Sequence, residues 1–348
     1  MTKIWVEYFL VNKNIAGVGT TCKNILSLLK KMDDIECETF TCKLLENQSK
    51  YIRTIFYVIW LNSVFFIRTL IKRPDIILFP KQIMSFLKVP GVKYLTILHD
   101  MSCVTNPVKR APLSVMQLNI RNWVAKHRAD KLASVSQFSI KEIKHYLDIK
   151  EPIDLIYNSI SEMYKTENTE DVLSEYNLED KKYILAIATQ NAHKNIISLV
   201  RAFNLISSKY PDLKLVLVGK KGNDKEIYNN INKNIITTGY VEDEKIPNLY
   251  RHALMFIFPS KYEGFGVPVI ESQYCSTPLI CSDIEVFHEV AGEGAEFCGF
   301  SPEDIAEKME YLLNNPQRME ELVKIGLENV KRFSDDIITE QIRHFLFD

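Results

Sequence analysis

The sequence predicts an α/β protein of two Rossmann-like domains, with parallel sheets facing across a cleft. Three observations predict it. The chain has 348 residues, the length of about two domains. Short apolar runs alternate with helix-like segments along most of it, which is the pattern of a parallel sheet wrapped on both faces. Glycine-bearing polar loops follow apolar runs at residues 12–19 and 259–266, where open α/β sheets hold ligands. A polar, acid-rich stretch at 161–180 is the best linker. It divides the chain into domains at 1–165 and 166–334. The remainder, 335–348, reads as a helix crossing back onto the first domain, with Ile337, Ile338, Ile342, Phe345 and Leu346 as its apolar stripe.

Composition narrows the function classes. The chain is 46% hydrophobic and 25% charged, with a formal net charge of −1. It can bury real cores, and its bulk charge gives no basis for nucleic-acid binding. Seven cysteines lie at 22, 37, 42, 103, 275, 281 and 298 without a C-x-x-C pair. That pattern points to buried thiols in a cytoplasmic protein rather than a disulfide framework or a zinc site. Asp33-Asp34 and Asp335-Asp336 read as solvated helix-end charges, so no metal site is expected. The N-terminal residues read as a first strand rather than a signal peptide.

In the first half, residues 3–10 form the expected first strand and 20–31 the first helix, with Gly17 and Gly19 in the loop between. Gly17-x-Gly19 is half of a dinucleotide fingerprint, but Cys22 stands where the third glycine belongs. Residues 54–67 are the most apolar segment, bracketed by Lys50, Arg53, Arg68, Lys72 and Arg73. They fall short of the roughly 20 residues that span a bilayer. The first reading is a buried core helix. The second is a peripheral membrane contact, since apolar side chains with nearby cations suit anionic lipid. Strands are expected at 75–79 and 93–98, the latter ending at His99. A strand at 129–135 precedes a helix capped by Ser136 or Gln137, and a short strand follows at 153–158.

In the second half, strands are expected at 183–188, 214–218, 235–238 and 280–282. Helices are expected at 196–210, 226–232, 245–252 and 283–290, the last capped by Asp283 or Ser282. Pro302 and Pro316 sit where first helical turns accept proline. Between them lies the most informative stretch, residues 254–271. An apolar run ends at Pro259-Ser260, a loop carries Glu263, Gly264, Phe265 and Gly266, and a helix opens at Val267-Pro268 with Glu271 about a turn in. Glycines let backbone amides approach a ligand, and a helix start behind such a loop is an anion site. An ordinary strand-to-helix turn shows the same spacing.

The segment from Glu263 to Glu271, with seven residues between the two carboxylates, resembles the donor-site signature of retaining glycosyltransferases of family four, which have the GT-B fold. Similar segments surround it. His99-Asp100 after Ile97-Leu98 resembles the family's T-x-H-D, and Tyr157-Asn158-Ser159-Ile160 its Y-N-G-I. Thr189 to Asn195 resembles the loop holding the family's phosphate-binding lysine, here Lys194. In that loop His193 replaces an arginine and Asn191-Ala192 a Glu-Pro pair, which leaves the cationic side thinner.

The resemblance implies a retaining, metal-independent hexosyltransferase without cofactor, using a UDP- or GDP-linked sugar and a glycan or lipid-linked acceptor in bacterial surface polysaccharide assembly. It implies catalytic roles for Glu263 and His99. It places the donor against Lys194, Gly264, Phe265, Gly266, Val267, Glu271, Gly17, Gly19 and Thr189, with Glu271 on the ribose diol. Its setting would be cytoplasmic, at the inner face of the membrane if the second reading of 54–67 holds. Two alternatives stand beside it: a catalytically weak partner subunit of a glycan-assembly complex, and a GT-B nucleotide-sugar epimerase.

Overall fold

The computed structural model describes residues 1–9, 11, 17–46, 50–105, 112–166, 172–179, 182–187, 192–219 and 230–348. The chain divides into two units. Unit 1 is Met1–Ser159 together with Asp335–Asp348, and unit 2 is Ile160–Ser334. The division falls six residues before the sequence boundary of 165/166. The reason is packing: Ile160 and Tyr164 are buried, and the Tyr164 carbonyl accepts from Arg251 at 2.8 Å within unit 2.

Unit 1 is a six-stranded sheet in the order β2-β1-β3-β4-β5-β6. Its strands are β1 (Thr2–Glu7), β2 (Ile35–Phe40), β3 (Ile76–Phe79), β4 (Lys93–Leu98), β5 (Lys131–Ser134) and β6 (Asp154–Leu155), all paired in parallel. β3 is wholly buried and β4 nearly so, as expected for central strands covered on both faces. The reading missed β2, because IECETF alternates charge with apolar residues weakly at a sheet edge. It also missed the helix Pro112–Arg128, whose polar face outweighs its apolar one in sequence.

Unit 2 repeats the plan in the order β12-β11-β10-β7-β8-β9. The strands are β7 (Tyr183–Ile187), β8 (Lys214–Val218), β9 (Ile235–Gly239), β10 (Met255–Phe258), β11 (Leu279–Ser282) and β12 (Glu296–Cys298), again parallel. The expected helix at 226–232 falls largely outside the described residues. Ser136 does cap its helix, accepting from the Ser139 amide at 3.0 Å. Neither Asp283 nor Ser282 caps the next helix. Glu285–Ala291 starts from an extended Ile284 with no side-chain cap.

The apolar segment corrects the first reading of a buried helix. It is longer than read, running from Ile52 to Lys72, and it is two helices, α2 (Lys50–Leu61) and α3 (Val64–Lys72), after the first helix α1 (Val18–Lys30). The break at Asn62-Ser63 is held by the Asn62 side chain. Its Oδ1 accepts from the amides of Phe86 and Leu87 at 2.7 and 3.1 Å. Tyr57, Leu61 and Phe65 are buried in the unit 1 core, while Trp60 and Phe66 pack partly against it.

Five of the six described cysteines are buried free thiols. The C-terminal helix Asp335–Phe347 belongs to unit 1 and packs on α1 and β6. Ile338, Ile342, Phe345 and Leu346 are buried, but Ile337 is exposed and lies off the packed stripe. Polar ties reinforce the docking: Arg343 is bidentate to Asp34 at 2.6 and 2.8 Å, and the Gln341 side chain accepts from the Tyr157 amide at 2.9 Å.

Replacing Ile342 by Ala should therefore destabilise unit 1 by about 2–5 kcal/mol, the usual cost of a large-to-small core change. The same change at exposed Ile337 should cost under about 0.5 kcal/mol. Urea midpoints of the two variants check the difference.

Candidate functional site

In unit 2 the site is built where β10 gives way to a helix. After Phe258 the chain runs through Pro259 and Ser260 to Gly266, and Val267–Tyr274 is helical with Pro268 in its first turn. Gly266 is the N-cap in a left-handed conformation, φ 92°. A Cβ there would lie 2.6 Å from the Phe287 ring, so both backbone and space demand glycine. Gly266 supplies no side-chain cap and no acidic residue sits in the first turn. Pro268 has no N–H and the Val269 amide donates to the Gly266 carbonyl at 2.9 Å, so the Val267 amide is the first-turn donor an anion could meet. Phe265 is buried and meets Phe333 edge-on at 5.5 Å. Its ring anchors the loop, so only its backbone can face a ligand.

Lys194 comes from the turn Ala192–Lys194, on the loop that follows β7. Asn195 holds that turn. It is left-handed at φ 56° and buried, its Nδ2 donates to the Phe300 carbonyl at 3.0 Å, and its Oδ1 accepts from Ser198 at 2.9 Å. The two loops are laced together by the Lys261 amide donating to the His193 carbonyl at 2.7 Å. Lys194 Nζ meets Glu263 Oε1 at 2.5 Å and lies 4.8 Å from the centroid of the Phe258 ring. The Lys194 and Glu263 side chains are only 16% and 13% exposed. The sequence reading gave them separate tasks, whereas the structure pairs them directly.

Glu271 stands in the second turn of the helix. Its Oε2 accepts from the Tyr250 hydroxyl at 3.4 Å. Burial pushes its carboxyl up to about 7, helped slightly by Asp243 and opposed by hydrogen bonds from Tyr164 and Tyr250. Both tyrosines are themselves held well above their usual range by burial, so they stay protonated donors. Neither was found from sequence. Tyr164 lay in the stretch read as linker, and Tyr250 in a helix with no motif of its own. Thr189 lies outside the described residues.

In unit 1, Gly17 is the N-cap of α1 at φ 59°, with nothing among the described residues within 4 Å of a Cβ placed there; residues 12–16 lie outside the described residues. Gly19 is not a loop glycine: it is buried inside the first turn of α1. The start of α1 is fixed by Thr21, which donates to Asn158 Oδ1 at 2.6 Å, and by Asn24, which donates to the Ser159 carbonyl at 2.9 Å. His99 follows β4 directly. Its Nε2 lies 2.7 Å from the Pro80 carbonyl, a pure acceptor, so Nε2 carries the proton and Nδ1 is left as an acceptor. Burial lowers its pKa, which keeps the ring neutral.

One further cluster escaped the sequence reading. Glu7, wholly buried at the end of β1, accepts from the Phe9 amide at 2.8 Å and Tyr57 at 3.0 Å, and lies 3.7 Å from Lys81. Burial raises its carboxyl pKa. The only signal in the sequence was a carboxylate inside the apolar run Trp5-Val6-Glu7-Tyr8-Phe9. Among the described residues no group of three or more His, Cys, Asp or Glu could hold a metal ion.

Comparison with known proteins now gives the family. Residues 168–328 match the model for glycosyl transferases group 1. The chain is 30% identical over 266 residues to O-antigen chain mannosyltransferase B of Escherichia coli, covering 71% of this chain and 68% of that one. The chain belongs to the group 1 glycosyl transferases. It is also 29% identical over 225 residues to the serotype-specific mannosyltransferase WbdA of Escherichia coli, but spans only 27% of that longer protein. The fold matches Anabaena HepE, solved in complex with UDP and glucose, with a TM-score of 0.76 at 16% identity, covering 99% of each chain. That is the GT-B architecture. The family match lies within unit 2 of this glycosyl transferase and includes Lys194, Glu263 and Glu271.

The raised carboxyl of Glu271 carries a sign. A folded-state pKa above the unfolded value means that the native protein binds the extra proton. The contribution is therefore full below about 4.5 and is lost as pH rises through about 7. Without ligand, the wild type should lose stability relative to Glu271→Gln between pH 5.5 and 8. Urea midpoints of both proteins at the two pH values check it, and parallel behaviour would show the carboxyl is not perturbed.

Proposed function

We propose that this glycosyl transferase moves a hexosyl group, mannose first among the candidates, from a UDP- or GDP-linked sugar to a glycan or lipid-linked acceptor in bacterial surface polysaccharide assembly. Transfer proceeds with retention and without a metal ion, in the cytoplasm. The observation that carries the reading is the Lys194–Glu263 pair beside an uncapped helix start, with Glu271 one turn further in. The mannosyltransferase relatives support the sugar and the pathway. The HepE complex with UDP and glucose supports a nucleotide-sugar donor.

Each residue has a task on this reading. Glu271, once ionised, accepts both hydroxyls of the ribose diol. The diphosphate takes the Lys194 ammonium from Glu263 and receives the Val267 amide at the helix start, with Gly264, Phe265 and Gly266 lining the sugar through their backbone. Lys194 then neutralises the charge that grows on the leaving phosphate, while Glu263 faces the oxocarbenium-like carbon. The bond from C1 to the phosphate oxygen breaks and the bond from C1 to the acceptor oxygen forms on the same face. The acceptor proton passes to the departing phosphate. In unit 1, His99 is the further catalytic candidate that the family resemblance assigns, with Nδ1 as its acceptor atom.

Glu263→Gln separates binding from chemistry. Turnover should fall about 100-fold, because charge near C1 matters most in the transition state. Affinity for the nucleoside diphosphate should hold or tighten, because the diphosphate no longer competes with a carboxylate for Lys194. Equal losses in both would remove the catalytic role.

A panel of nucleotide sugars with a lipid diphosphate-linked acceptor tests the reaction itself. The expected outcome is a product with the donor's anomeric configuration, formed at an unchanged rate in EDTA. Loss in EDTA with recovery in Mg²⁺ or Mn²⁺ would overturn the metal-free mechanism. Tight nucleotide binding without transfer to any acceptor would favour the partner-subunit reading, and sugar conversion without acceptor the epimerase reading.

A further inference from the structure

Helices α2 and α3 are two-faced in an unusual sense, since both faces are apolar. The inner face carries Tyr57, Leu61 and Phe65, which are at most 1% exposed in the unit 1 core. The outer face of α2 is a row at helical spacing, Ile52, Ile55, Phe56 and Ile59, each about half exposed. The outer face of α3 continues with Val64, Ile67 and Ile71, the last 74% exposed. Single exposed apolar side chains are ordinary, but seven in ordered rows on neighbouring helices form a patch that water disfavours.

Charge says what covers it. From Lys50 to Pro74 the sequence holds Lys50, Arg53, Arg68, Lys72 and Arg73 and no acidic residue, in a chain whose formal net charge is −1. Among the described residues Arg53, Arg68, Lys72 and Arg73 form no ion pair. Arg68 is exposed and lies 5.0 Å from the Trp5 ring. We propose that α2 and α3 form a membrane-docking surface that inserts its outer apolar rows into an anionic lipid leaflet, with these cations at the headgroups.

The segment is long enough to cross a bilayer, but it does not need to. Spanning would require straightening the Asn62-Ser63 break and withdrawing Tyr57, Leu61 and Phe65 from the core. Lying flat costs neither and still removes the outer rows from water. Of the aromatic residues in the segment, Tyr57 and Phe65 face inward, Trp60 and Phe66 pack partly against the core, and Phe56 joins the otherwise aliphatic outer row. The proposal is independent of the transfer reaction, because its test measures sedimentation rather than turnover.

The full-length protein is sedimented with vesicles of phosphatidylcholine alone and with added phosphatidylglycerol, at low and high salt. Three variants run beside it: Ile55→Asp/Ile59→Asp, Ile67→Asp, and Arg68→Ser/Lys72→Ser/Arg73→Ser. All change exposed side chains, and circular dichroism and urea midpoints confirm that each is folded. The wild type should bind the anionic vesicles. Each aspartate variant should lose at least about tenfold in partitioning, and the basic-residue variant roughly fivefold per charge, with the loss shrinking at high salt. No binding at low salt would overturn the proposal. So would binding that survives the aspartate substitutions, which would reduce it to charge attraction. Gel filtration showing a dimer that those substitutions dissociate, without vesicle binding, would assign the surface to a second copy instead.

Discussion

All the paired strands in each sheet run parallel, so the loops that follow them leave from one edge. Residues distant in sequence meet there only if their strands are neighbours. β7 and β10 pair directly, and that is why Lys194 reaches Glu263 across 69 positions. β1 pairs with β3, and β3 with β4, which brings Glu7 towards Lys81 and His99 onto the Pro80 carbonyl. The polar chemistry of each unit is a consequence of strand order.

The pairing of Lys194 with Glu263 also sets the electrostatic state of the donor side. Two charges mostly withdrawn from water are tolerable when they face each other, and removing either one leaves the other costly. On the proposed reading, a diphosphate would have to displace Glu263 from Lys194, which would leave the carboxylate unpaired. Glu271 is tuned differently. Among the described residues its hydrogen-bond partners are two tyrosine hydroxyls, and burial dominates, pushing its carboxyl up to about 7.

The outer rows of α2 and α3 show the limit of reading burial from hydropathy. A segment apolar on all sides reads as core by default, because only a core is assumed to want every face. Here the sheet takes one face, and a two-residue break with Asn62 bound to the 86–87 backbone keeps the second face outward. On the proposed reading, the cations around it, Arg53, Arg68, Lys72 and Arg73, suit that exposed face to anionic lipid.

The sequence by itself determined the α/β class, the central strands and the strand–loop–helix at Glu263 to Glu271, because apolar period, glycine position and proline in a first turn are local properties. It also narrowed the helix cap to Ser136 or Gln137, of which the structure chose Ser136, and gave most of the C-terminal stripe, for the same reason. It did not reach β2, whose edge position asks little of its side chains, or the helix at Pro112–Arg128. It could not find Tyr164 and Tyr250, the Glu7–Lys81 cluster, or the partner of Lys194. Nor could it tell that Gly19 is helical and Ile337 unpacked. Those facts depend on which strands lie side by side and which helix face a sheet accepts, and both are fixed by contacts between residues far apart in the chain. Tertiary structure alone decided them.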